Sequence, residues 1–204
     1  MIFLSLFILL FSLVIHEVSH AYAALYFGDD TAKKLGRLSL NPVRHLDIIG
    51  SIVVPLSLFF FQSSFLFGWA KPVPVDFFAL KPYKKAVFWV SFAGPLSNFV
   101  LAFFSLGSLL FFHLSPGLLF SFCLLSFYLN VILFVFNLLP FPPLDGFKIL
   151  SLFLPSRVSS VLLQYEKWGL GLFFIAFYFS LFDWIFTLPS HLFAFSQSIF
   201  SMQL

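Results

Sequence analysis

The chain is organised as long apolar runs separated by short basic loops. Five runs stand out: Ile2 to Phe27, Ile48 to Phe67, Ala86 to Phe112, Gly117 to Leu139 and Trp168 to Leu188. A helix needs roughly 20 apolar residues to cross the hydrocarbon core of a bilayer. Four of the runs meet that measure. The second is weaker, because Pro55 lies near its middle, Gln62-Ser63-Ser64 interrupts it, and Gly50 and Gly68 bracket it.

The loops divide by charge. Residues 28–47 carry Lys33, Lys34, Arg37 and Arg44; residues 69–85 carry Lys71, Lys81, Lys84 and Lys85; residues 140–167 carry Lys148, Arg157 and Lys167. The connection His113 to Pro116 and the tail after Leu188 carry no Lys or Arg. Basic loops favour the cytoplasmic side. If all five runs crossed, the first two basic loops would lie on opposite sides. If the run at 48–67 enters and returns, all three basic loops share one side, and a proline-broken re-entrant segment is tolerated where protein shields its backbone. The expected fold is therefore an all-α polytopic membrane protein. It has four spanning helices, a re-entrant segment at about residues 48–67 and short extended loop elements, in a single domain over 1–204 with both termini outside.

Composition supports this class and excludes others. The 204 residues are 61% hydrophobic and 9% charged, and the mean hydropathy is +1.04. A soluble domain carries about 25% charged residues, so this chain cannot cover a water-facing surface. The net charge of +3 is spread over loops, without the clustered basic face that nucleic acid requires. One cysteine, Cys123, excludes an intramolecular disulfide and a paired-cysteine metal site. The first run has no basic leader and is longer than a signal peptide's apolar stretch, so it reads as a retained helix.

Inside that first helix lies His16-Glu17-Val18-Ser19-His20. Ionisable side chains in a membrane helix are costly and mark function. Histidines four apart share one helix face, where both can ligate one Zn²⁺, and the intervening glutamate can act as general base. A catalytic zinc needs a third protein ligand and one open position. The acidic candidates are Asp29, Asp30, Asp47, Asp76, Asp145, Glu166 and Asp183. Asp145 fits best. It follows the fourth run in Asn137-Leu138-Leu139-Pro140-Phe141-Pro142-Pro143-Leu144-Asp145-Gly146, where the prolines deny a regular helix and Gly146 allows a sharp turn.

Topology tests this choice. The first helix runs inward with the histidines in its inner half. Five alternating spans would set Asp145 about 30 Å away on the opposite side, too far for a bond of about 2 Å. The re-entrant arrangement brings it to the same side. Fourteen residues lie between Met1 and His16, a rise of about 21 Å that leaves the site roughly 9 Å inside a 30 Å core.

These motifs resemble those of the site-2 protease family of intramembrane zinc metalloproteases. That family pairs HExxH on one membrane helix with an N-x-x-P-x-P-x-x-D-G-like motif on another, here His16 to His20 and Asn137 to Gly146. Ala93-Gly94-Pro95-Leu96-Ser97-Asn98 resembles its AGPxxN helix start. Gly68 to Val75 and Leu40-Asn41-Pro42 resemble connecting elements of its short bacterial branch. The resemblance covers about Phe11 to Trp168, with no room for the PDZ or CBS domains many relatives carry.

The resemblance implies one Zn²⁺ per chain, Glu17 as catalytic base and His16, His20 and Asp145 as ligands. It implies that Asn137 holds substrate or the reacting carbonyl, although an asparagine there also suits backbone bonding. Asn98 has two readings, lining the site or capping a backbone group. Val73-Pro74-Val75 reads either as an extended edge that receives unwound substrate or as a structural proline-rich loop. His45, which follows Asn41-Pro42, has two readings, approaching the site or serving as a surface or structural residue. The implied partners are a transmembrane protein or peptide substrate and the lipid bilayer, without nucleic acid. The implied location is a bacterial inner membrane, with the active site toward the cytoplasm. The rival functions are a membrane metal carrier, for which Glu17 is superfluous, and a non-catalytic scaffold.

Overall fold

The structure is a computed structural model that describes residues 2–60, 71–112, 116–164 and 168–201. Its nine α-helices among those residues are α1 (Ile2–Tyr26), α2 (Thr31–Lys34), α3 (Val54–Phe60), α4 (Tyr83–Phe111), α5 (Leu118–Asn137), α6 (Asp145–Ser151), α7 (Ser156–Gln164), α8 (Gly169–Tyr178) and α9 (Asp183–Ser201). No strand occurs among the described residues.

Three helices, α1, α4 and α5, are long and apolar enough to cross a membrane. The α1 sequence has neither glycine nor proline and runs unbroken to Tyr26. It stops at Gly28, whose φ of 102° suits only glycine, while the Asp29 amide closes back on the Ala24 carbonyl at 2.9 Å. α4 passes through Pro95, which costs the Ser91 carbonyl its helical partner. Helix α4 packs against both α1 and α5. Ala21 and Ala24 of α1 and Ala86 of α4 are fully buried, and such small side chains let helix backbones approach in lipid. Phe3, Phe7 and Phe11 of α1 and Phe99, Phe103 and Phe104 of α4 are exposed. On a water-facing protein these would form a large apolar patch; on a membrane bundle they face acyl chains.

Two expected elements differ. Trp168 to Leu188 does not form one helix but α8 and α9, separated at Ser180, whose φ is 57°. The 10-residue α8 is about 15 Å long, half a bilayer core. Hydropathy averaged over the run does not report the path of the backbone, and only Ser180 and Asp183 mark the break in the sequence. In the second run, Asp47 accepts from the Gly50 amide at 2.7 Å and starts a wide helical turn over Ile48–Val53 that leads into α3. The remainder of that run, with Gly68-Trp69-Ala70, falls outside the described residues.

The chain leaves α1 and enters α4 at the same end of the bundle. The Lys81 amide donates to the Phe27 carbonyl at 3.1 Å. Asp29 reinforces this junction: its carboxylate is buried and accepts from the Thr31 amide at 2.9 Å and the Asp76 amide at 2.8 Å. Burial opposes ionisation of Asp29, but the Thr31 side chain and amide, the Asp76 amide and the Lys34 charge together outweigh it and hold the carboxyl below the usual range. Residues 71–76 are irregular rather than a strand, because Pro72 and Pro74 have no N–H to offer a ladder.

Candidate metal centre

Three elements meet at one point. Helix α1 supplies His16, Glu17 and His20, α4 closes one side at Val90, Ser91 and Gly94, and the turn after α5 delivers Asp145 as the first residue of α6. The Nε2 atoms of His16 and His20 are 3.0 Å apart. Each lies 3.2 Å from Oδ2 of Asp145. All three side chains are buried. Among the described residues they form a group of ligating side chains close enough to share an ion.

The rear nitrogens decide what the front ones can do. Nδ1 of His20 is 2.6 Å from the Val90 carbonyl, which only accepts, so that nitrogen carries the proton. Nδ1 of His16 donates in the same way to Oδ1 of Asn98 at 2.7 Å. With both rings neutral, the Nε2 atoms present lone pairs to each other and to a carboxylate oxygen. Such a convergence needs positive charge among the three, which a proton or a metal ion can supply. A tetrahedral zinc with bonds of about 2.0–2.1 Å holds its ligands about 3.3 Å apart, close to the distances seen. The donor set of two imidazoles and one carboxylate fits Zn²⁺ and leaves a fourth position open, the pattern of catalytic zinc.

Gly94 keeps that space clear. A Cβ there would stand 2.3 Å from Nε2 of His20 and 2.6 Å from Nε2 of His16. Gly146 has a different role from the expected one. It lies in the first turn of α6 without a left-handed φ. Its need is for space, since a Cβ would meet the Leu138 carbonyl oxygen at 2.2 Å. Asp145 Oδ1 faces away from the histidines toward Nζ of Lys148 at 3.9 Å.

A cavity of ≈ 210 Å³ opens onto this centre. Glu17 lines it, and its Oε2 accepts from the Val73 amide at 2.7 Å, so the proline-rich segment 71–76 forms a wall and steers the carboxylate. Asn137 also lines it, at the end of α5, with Nδ2 bonded to the Leu133 carbonyl at 2.9 Å. Asn98 is fully buried behind His16, outside the cavity lining. The segment Ala93 to Asn98 lies mid-helix rather than at a helix start, because α4 begins at Tyr83 and runs through Pro95. His45 is fully buried, with Nε2 donating to the Ser39 carbonyl at 2.7 Å, and does not line the cavity.

Four parts of the site had no role assigned from the sequence: Gly94, named only within Ala93 to Asn98, Lys148, named only as a loop charge, the Val90 carbonyl and the Val73 amide. Lys148 had a readable sign, a spacing of three from Asp145 at the start of a helix. The two backbone groups had none.

Comparisons with known proteins agree with the chemistry of this centre. The family model for Peptidase family M50 matches residues 114–180. YwhC of Bacillus subtilis, provisionally named a zinc metalloprotease, is 42% identical over 178 residues, 83% of this chain and 77% of its own length. Rip2 of Mycolicibacterium smegmatis, named in the same way, is 31% identical over 161 residues, 78% of this chain and 61% of its own. Rip2 of Mycobacterium tuberculosis H37Rv is 30% identical over 202 residues, 93% of this chain and 76% of its own. No solved structure matches the chain.

Proposed function

Because this chain belongs to peptidase family M50, the site-2 protease family of zinc metalloproteases, we propose that it hydrolyses peptide bonds within transmembrane segments of other proteins. The carrying observation is the convergence of His16, His20 and Asp145 beside Glu17, inside a helical bundle whose outer faces are apolar. A water-soluble peptide has little access to such a site; a membrane-embedded one does.

In this reading His16, His20 and Asp145 hold Zn²⁺. When bound, zinc supplies Lewis-acid polarisation of the scissile carbonyl and makes water more acidic. Glu17, aimed by the Val73 amide, takes a proton from water as its oxygen bonds to the carbonyl carbon. It returns that proton to the nitrogen as the C–N bond breaks. Asn137, at the cavity wall, is placed to bind the substrate backbone. Asn98 holds His16 from behind.

The cavity and the basic loops lie on one side in this proposal, the cytoplasmic side of a bacterial inner membrane. The bond between Lys81 and Phe27 supports it. Residues 28–80 begin and end at one face, so they cross the bilayer an even number of times or not at all, which favours re-entry at 48–67. With α8 and α9 completing a fourth crossing, the 204 residues form one membrane domain around one site.

The test uses the purified chain in lipid with a panel of single-span membrane peptides. Wild type is expected to cut within the apolar segment, as mapped by mass spectrometry, and Glu17→Gln to bind zinc yet cut nothing. Cleavage retained by Glu17→Gln, or cuts confined to water-exposed flanks, overturns the proposal. Zinc flux into proteoliposomes without cleavage points to a carrier.

A further inference from the structure

We infer that Asn130 is a positioning residue for the metal centre, fixing which nitrogen of His16 is free to bind, although it touches neither the metal ligands nor the cavity. The inference rests on reading His16 as a zinc ligand. Asn130 lies on α5 and is fully buried, as are its neighbours Asn98 on α4 and Ser12 on α1. Its Nδ2 donates to the Ser126 carbonyl at 2.9 Å and to Ser12 Oγ at 2.9 Å, with Ser126 Oγ at 3.5 Å. Its Oδ1 accepts from Nδ2 of Asn98 at 2.9 Å.

The direction of this chain of bonds is forced. A backbone carbonyl only accepts, so the amino half of Asn130 must face Ser126. That turns Oδ1 of Asn130 toward Asn98. Asn98 must answer with its own amino group, which also lies 3.5 Å from the Ser12 carbonyl, a second group that only accepts. The amide oxygen of Asn98 is then left for His16. An amide oxygen cannot donate, so Nδ1 of His16 holds the proton and Nε2 keeps its lone pair for the metal. One carbonyl on α5 thus sets the lone pair of a ligand on α1, through an amide on α4.

Reversal is blocked by the same groups. Turning Asn98 around would set its oxygen against Oδ1 of Asn130 and the Ser12 carbonyl, acceptor against acceptor in an apolar interior. It would also present an amino group to His16 and move the ring proton to Nε2, the atom facing Asp145. Without Asn130 one of these obstacles disappears, and both orientations of Asn98 become accessible. Outer partners of metal-binding histidines act in this way, by orienting the ring and fixing its tautomer.

Zinc affinity of the purified 204-residue chain in detergent, measured by chelator competition, tests this. Asn130→Leu is expected to weaken zinc binding about 10-fold, the low end of the effect of losing a ligand's direct partner, because it acts through Asn98. Asn130→Asp is expected to restore most of the loss. In apolar surroundings the acid stays protonated and keeps both an acceptor and a donor. In an Asn98→Ala background, Asn130→Leu should cause no further loss, because its route to His16 is gone. Thermal unfolding of the metal-free proteins identifies the folded variants; if Asn130→Leu does not fold, Asn130→Ser is read by the same outcomes. A folded variant that binds zinc like wild type overturns the inference. So does a loss of equal size with and without Asn98, which marks mere packing. Absence of zinc binding by wild type would instead overturn the metal-site reading beneath it.

Discussion

Gly94→Ala adds one methyl group at the point where α4 faces the two histidines. Its carbon would stand 2.3 Å from Nε2 of His20 and 2.6 Å from Nε2 of His16, whereas real Cβ contacts essentially never fall under 3.0 Å. The His20 ring must therefore withdraw by about 0.7 Å, and zinc sites hold their ligand distances to about 0.2 Å. The ring cannot swing away cheaply, because its Nδ1 is tied to the Val90 carbonyl at 2.6 Å, one helical turn from Gly94 itself. Displacement on this scale costs about 100-fold in zinc affinity, and cleavage falls with it. Gly107 supplies the control, since it lies on the same helix with nothing within 4 Å of an added Cβ. Chelator competition on both variants, with thermal unfolding alongside, is the assay. Gly94→Ala should lose zinc while remaining folded, and Gly107→Ala should match wild type. Wild-type zinc affinity in Gly94→Ala would refute the reasoning, because the metal would then lie elsewhere.

Further outcomes follow from other contacts. Val73→Pro removes the amide that donates to Glu17, so cleavage should fall by about 10–100-fold while zinc content is unchanged; unchanged turnover would show that the base needs no such guide. Asp29→Asn sets an amino group against one of two half-buried amides and should cost about 1–3 kcal/mol of stability at pH 7. The folded carboxyl titrates below its ordinary value of 3.8, so its contribution is complete above that pH and lost as pH falls through the lower folded value. The gap in thermal stability between wild type and the Asp29→Asn variant should therefore close in acid. A gap that stays constant from about pH 7 to about pH 2 would contradict the ionic role.

What the sequence made legible was chemistry carried by side chains at helical spacing. His16 and His20 could be paired because a helix repeats about every 3.6 residues, and Asp145 because prolines and loop charge confined the return path of the chain. The three long helices were equally plain, since each apolar run is near bilayer length. The break at Ser180 was not, because Ser180 and Asp183 are the only polar residues near it in an otherwise apolar stretch. Asn98 and Asn130 were hard to interpret for another reason: each is an ordinary polar residue in an apolar run until the partner across the helix interface is known. Backbone groups such as the Val90 carbonyl and the Val73 amide carry no residue identity at all, so only the packing of α1 against α4 and residues 71–76 revealed them.

The most direct measurement is zinc K-edge X-ray absorption of the purified protein, combined with metal stoichiometry, for wild type and Asp145→Ala. Wild type is expected to hold one zinc per chain with two imidazole nitrogens and oxygen ligands at about 2.0–2.1 Å. Asp145→Ala is expected to lose the metal or bind it far more weakly. A wild-type spectrum without two imidazoles, or full zinc occupancy with unchanged affinity in Asp145→Ala, would contradict a centre built from His16, His20 and Asp145.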